Sequence, residues 1–201
     1  MGERNHGHYN LYGYVNHQYN MNYISIIVSL IALAISALSF WLANIKKGNV
    51  KMTRPTIICF LGQNKGDEPK IFIRTLLYST SDKGQYIQNM FIRLQQGRKV
   101  QDFNIWAYGD NGIVRGSGLF VNKNGISSYH HFLLPKVRAR YSSMQGDCLL
   151  QFFAETVNEK PQKIFETHLT ITEQQLLDLE QGKELHFDWA PNTQNYFSYT
   201  N

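Results

Sequence analysis

Residues 23–45 read YISIIVSLIALAISALSFWLANI, an uncharged run closed by Lys46 and Lys47. At about 1.5 Å per residue a helix of this length is about 34 Å long, enough to cross a hydrocarbon core of about 30 Å. This run partitions the chain. Residues 1–22 are expected to be a disordered Asn/Tyr/His-rich tail, 23–45 a transmembrane helix, 46–55 a basic juxtamembrane linker and 56–201 a single β-sandwich domain.

The flanks of the run are unequal. Lys46, Lys47, Lys51 and Arg54 follow it within ten residues, whereas the preceding tail holds Arg4 against Glu3. The positive-inside rule places the chain in the cell membrane as a single-pass protein, N-terminus outside and C-terminal domain cytoplasmic. The four basic residues are the expected contacts to lipid headgroups. Ala32-Leu33-Ala34 matches a signal-peptide cleavage pattern, but no basic segment precedes the run and eleven apolar-run residues follow Ala34. Met1-Gly2 begins like a myristoylation signal, yet His6 stands where Ser or Thr is required.

Small residues inside the run fall on one seam. Ser25, Ser29, Ala32, Ser36, Ser39 and Ala43 are spaced by four and three in alternation. Lipid tails are as apolar as leucine, so membrane helices associate through close backbone approach and hydrogen bonds. The seam therefore predicts association with a second copy or with a partner membrane helix, at a left-handed crossing.

Beyond Thr56 the hydrophobic period changes to two. The segments 56–61, 71–80, 86–94, 102–108, 113–121, 128–134, 148–157, 164–171 and 185–189 read as nine strands. Turn residues at 81–84, 110–112, 124–125 and 158–161 suggest an antiparallel meander. One helix is expected at 173–181, with Thr172 as N-cap, Gln175 as capping-box partner, Gly182 as its stop and Leu176, Leu177 and Leu179 as its apolar face. The fold class is all-β: an antiparallel sandwich, immunoglobulin-like or a small barrel, with one short helix. Within YSSMQGDCLLQFFA at 141–154, a Tyr followed by Gly-Asp and an apolar strand resembles the corner that opens a late strand of immunoglobulin-like sandwiches. That resemblance implies a fold and no function.

Chemical motifs are sparse. Cys59 and Cys148 lie in apolar strand-like runs and read as buried thiols, with a disulfide between them as the lesser alternative, and without a CxxC pair no zinc site is expected. Ser117 sits in Gly-Ser-Gly inside a strand arm, where no nucleophile elbow forms. His130 and His131 are neighbours that a strand sends to opposite faces. His6, His8 and His17 in the tail have no fixed geometry to hold a metal. Glu166, His168, His186 and Asp188 would form an acid-base group only if their two strands pair.

Charge is asymmetric. Residues 46–140 hold sixteen Lys and Arg against five acidic residues, and 147–201 hold three against nine. Arg93, Arg98, Lys99 and Arg115, near Phe91, Phe103 and Trp106, are candidates for an anionic-ligand patch. The expected function is a non-enzymatic interaction or scaffold module at the lipid bilayer, associating through its helix and engaging a protein of unknown identity, with no cofactor, metal or DNA. One alternative is a membrane effector or sensor binding a small anion such as a nucleotide, since an anchor joined to a compact β domain resembles the layout of some bacterial membrane-acting defence effectors. Another is a hydrolase using the His/carboxylate group.

Overall fold

The computed structural model describes residues 9–45, 48–62, 69–112, 114–115, 118–135, 141, 145–157 and 159–201, with side chains of the first helix from Asn22 onward. The chain forms two units, Met1–Lys46 and Lys47–Asn201. The first contains α1 (Tyr9–Asn44). Within it Asn22–Asn44 is long and apolar enough to cross a membrane, with a mean hydropathy of 2.5 over its most apolar 18 residues and none of them buried. The helix starts well inside the expected tail, at Tyr9. Once a helix is nucleated, each added residue fixes its dihedrals for one new bond, and the segment from Tyr9 to Asn22 has no proline to stop propagation.

The second unit is mostly antiparallel β-structure. In chain order it comprises β1 (Val50–Met52), β2 (Ile57–Leu61), β3 (Lys70–Ser79), β4 (Gln85–Gln96), β5 (Lys99–Phe103) and β6 (Ile105–Tyr108). These are followed by β7 (Val114–Arg115), β8 (Leu119–Val121), β9 (Ile126–Leu133), β10 (Gly146–Thr156) and β11 (Gln162–Ile171). A helix, α2 (Glu173–Glu180), precedes β12 (Glu184–Ala190) and β13 (Asn195–Thr200). An eight-stranded sheet runs β13-β12-β2-β3-β9-β6-β7 with β1 also on β3. A five-stranded sheet runs β11-β10-β4-β5 with β8 also on β4.

The order corrects the expected meander, because β2 pairs with β12 across most of the domain sequence. Two expected strands each divide between sheets. The 102–108 segment turns at Asn104, leaving β5 in the smaller sheet and β6 in the larger. The 113–121 segment likewise gives β7 and β8 to different sheets. The turn at 81–84 therefore carries the chain from one sheet to the other, and Gly84 occupies φ +69° where a Cβ would stand 2.5 Å from Phe120 Cζ. The expected turn at 110–112 lies between the paired strands β6 and β7, and 159–161 lies between the paired strands β10 and β11, with Asn158 outside the described residues. The 46–55 linker is also revised: Val50, Lys51 and Met52 pair with Ser79, Tyr78 and Leu77.

Inward residues of both sheets share one core. Phe60, Phe103, Phe132, Phe152 and Phe187 are fully buried in it. Phe132 on β9 meets Phe152 on β10 edge-on at 6.0 Å, across the two sheets. Tyr141 packs its ring against Phe60 and Phe103, and its hydroxyl lies 2.8 Å from the Leu61 carbonyl and 2.9 Å from that of Lys70. Those acceptors are 80 and 71 residues away, whereas an immunoglobulin corner tyrosine bonds a few residues upstream.

Helix α2 has the expected capping box, with Thr172 Oγ1 accepting from Gln175 N and Gln175 Oε1 accepting from Thr172 N. Its buried face differs: Leu179 is inside, Leu177 is exposed, and Asp178 is buried because Lys183 and Gln174 donate to its carboxylate. The Lys183 bond holds the Asp178 carboxyl below its usual range. Thr172→Ala is expected to cost about 1 kcal/mol, read as a shift in the urea midpoint of unfolding.

Candidate functional site

Alternation places a second population of side chains on the outer face of the eight-stranded sheet. In β12, Leu185 and Phe187 enter the core, so His186 and Asp188 point away from it. In β2, Ile58 and Phe60 enter the core, so Cys59 points away too. Strand register then sets Tyr199, His186, Cys59, Phe72, His131 and Ala107 side by side in one row across the outer face.

The row is held by stacked rings. Tyr199 lies on His186 at 5.2 Å and 11°, and Phe72 lies on His131 at 5.7 Å and 27°. Between them sits Cys59, with no exposed surface. His186 Nε2 is 3.8 Å from Cys59 Sγ and 3.1 Å from Glu184 Oε2. These three donor atoms all lie within 4.8 Å of one another, the one group among the described residues close enough to hold a metal ion.

The same distances argue against nucleophilic catalysis. A thiol–imidazole–carboxylate relay needs the thiol on one ring nitrogen and the carboxylate on the other, so that a proton can cross the ring. Here both partners meet Nε2. The Cys59 thiol is pushed up to about 12, first by burial and then by the Glu184 charge, with Lys70 opposing. It stays protonated at neutral pH and is no ready nucleophile.

The groups expected from sequence are dispersed. Glu166 and His168 lie on β11 in the smaller sheet, and His186 and Asp188 on β12 in the larger, so the four do not converge. Glu166 instead accepts from Lys163 at 2.6 Å and Gln151 at 3.2 Å, with Lys163 the main cause of its lowered pKa. Asp188 Oδ2 accepts from the Tyr199 hydroxyl at 3.3 Å.

The anionic-ligand patch is divided in the same way. Arg93 makes a two-pronged bond to Asp102 at 2.8 and 3.0 Å and lies beside Phe91 and Phe153. Arg98, in the turn after β4, and Lys99, on β5, belong with the smaller sheet, while Arg115 is on β7 of the larger. Phe103 and Trp106 are core residues and offer no face to a ligand. Of the headgroup candidates, Lys51 is exposed on β1 and Arg54 stacks over Trp189 at 3.8 Å, while Lys46 and Lys47 lie outside the described residues, as does Ser117 of the Gly-Ser-Gly segment. In α1 the seam residues Ser25, Ser29, Ala32, Ser36, Ser39 and Ala43 are all exposed, and Ser29 donates to the Ser25 carbonyl at 2.8 Å.

Cys59 and Cys148 are buried thiols, as their apolar surroundings suggest. What sequence reasoning missed is the meeting of Cys59 with His186, 127 residues apart. Its signal was the outward phase of Cys59 between inward Ile58 and Phe60.

No family model and no curated protein matches the chain. A crystal structure of a protein from Bordetella pertussis designated ApaA aligns with 64% of this chain and 98% of its own, at 13% identity and a TM-score of 0.35, a likeness that carries no argument about fold or role.

Proposed function

We propose that the chain is a single-pass membrane protein whose C-terminal unit is a β-sandwich, acting as a non-enzymatic interaction module that assembles through its helix. The observation that carries the reading is the 23-residue Asn22–Asn44 segment, whose most apolar 18 residues have a mean hydropathy of 2.5 with no part buried, in a chain whose second unit has a core of its own. Left in water, such a surface would be unusual for a soluble monomer, whose largest apolar patches are about 300–600 Å². The ring contact between Phe132 and Phe152 supports the sandwich. The basic flank supports a cytoplasmic C-terminal unit, with Lys51 and Arg54 adding about 1 kcal/mol each near an anionic headgroup surface. The seam supports a second copy as the helix partner. The sensor reading has less behind it, because Arg93 is paired and the other three basic residues are split between sheets.

Two measurements test this. The full chain in membranes should resist alkaline extraction; recovery in the wash would remove the anchor. In the same membranes, single Ser29→Cys and Ser36→Cys substitutions should form disulfide-linked dimers and Ile31→Cys should not. Equal trapping at all three positions would mean that the helix has no preferred face.

A further inference from the structure

The outer-face group has donors of three kinds and a geometry that a divalent ion fits. Tetrahedral metal bonds of about 2.0–2.3 Å set neighbouring ligand atoms about 3.3–3.8 Å apart. The separations of 3.8 Å from Cys59 Sγ to His186 Nε2 and 3.1 Å from there to Glu184 Oε2 are close to such edges. We propose that Cys59, His186 and Glu184 form a zinc site joining β2 to β12, with the fourth position left to water or an incoming donor.

The scaffold favours it. Cys59 and His186 are direct cross-strand partners, and Glu184 lies two residues before His186 on the same strand face. The ladder fixes all three backbones, and the stacked Tyr199 ring fixes the plane of the imidazole. Glu184 is 47% exposed and His186 14%, so an ion can enter between them and reach the buried sulfur. Both ring-nitrogen contacts fall on Nε2, the arrangement expected of one ligand atom facing one ion and the feature that a proton relay leaves unexplained.

Donor chemistry selects the ion. Thiolate and imidazole suit a borderline-soft late transition metal, whereas Ca²⁺ and Mg²⁺ take oxygen donors and would leave the sulfur and nitrogen unused. Glu184 supplies negative charge that stabilises a cation. Lys70 is the opposing charge, felt at both Cys59 and His131. Binding must displace the thiol proton, which leaves to solvent as the Cys59 sulfur–metal bond forms.

The test uses the full-length chain in detergent micelles, titrated with Co²⁺ as a spectroscopic substitute for Zn²⁺. One equivalent should bind with a thiolate-to-cobalt charge-transfer band in the near ultraviolet, and Zn²⁺ should displace it. Cys59→Ser should abolish the band and Cys148→Ser should leave it. His186→Ala should weaken binding more than about 100-fold, beyond the 10–100-fold typical of residues behind the ligands. Glu184→Gln, at a half-exposed position that leaves the core untouched, should weaken it at least about 10-fold while keeping the thermal midpoint of the metal-free protein. Absence of the band, its persistence in Cys59→Ser, or cobalt bound without a thiolate band through His6, His8 and His17 would each overturn the site.

Discussion

Phe152→Ala is expected to cost about 3–5 kcal/mol, a large part of the stability of a domain this size. Phe152 is fully buried on β10. Its ring meets Phe132 on β9 at 6.0 Å and Phe165 on β11 at 5.7 Å, both edge-on. It thus joins its own sheet to the other one, and it stands beside a register shift between Phe152 and Phe153 in the pairing of β10 with β11. Truncation removes the transferred apolar area and leaves a cavity between two sheets that cannot close independently. Tryptophan fluorescence against urea gives the measurement. Phe91→Ala supplies the contrast, because that ring stacks on Phe153 at 4.7 Å on the opposite face of the same strands, outside the core. Equal losses for the two variants would mean that the core is not where the burial pattern puts it.

Acid should destabilise the β unit well above the range where carboxylates titrate. His130 is fully buried, and Trp106 Nε1 donates to its Nδ1 at 3.2 Å. The neutral ring therefore carries its proton on Nε2, which has no partner among the described residues. Charging the ring would put a proton on Nδ1 and break the Trp106 bond. Burial is the main cause that lowers the His130 pKa from 6.5 to about 4, with His131 adding to it and Asp110 opposing. The folded value lies below the unfolded one, so the full stability is present above pH 6.5 and is lost as pH falls from there toward 4. Over that window the loss attributable to His130 is about 3 kcal/mol. Urea midpoints at pH 7 and pH 4.5, compared between the wild type and His130→Gln, isolate it. Parallel pH profiles for the two proteins would exclude His130 as the group responsible.

The parts of this fold that a sequence discloses are those set by near neighbours. Phe165, Thr167, Leu169 and Ile171 alternate with Glu166, His168 and Thr170, and the burial of β11 follows that alternation. The capping box of α2 depends on residues three apart and is visible for the same reason. Pairing between distant strands has no such local mark. Nothing in the period of β2 says that its neighbour is β12, so His186 could be given its face but not its partner. Asn104 hides a change of sheet inside an apparently continuous apolar segment. Val50–Met52 is too short, and too close to basic residues, to show a period at all. The candidate site inherits this limit, because two of its three donors sit on β12 and the third on β2.

The last strand also has a consequence for handling the molecule. β13, with sequence NYFSYT, closes one margin of the eight-stranded sheet and contains neither a charged residue nor a proline. Such residues are the usual guards against a foreign strand docking lengthwise. β11, at a margin of the other sheet, has Lys163 and Glu166 as guards. With Phe197 more than half uncovered, β13 offers a ready template for accretion, and charge introduced there is the natural route to a preparation that stays dispersed when concentrated.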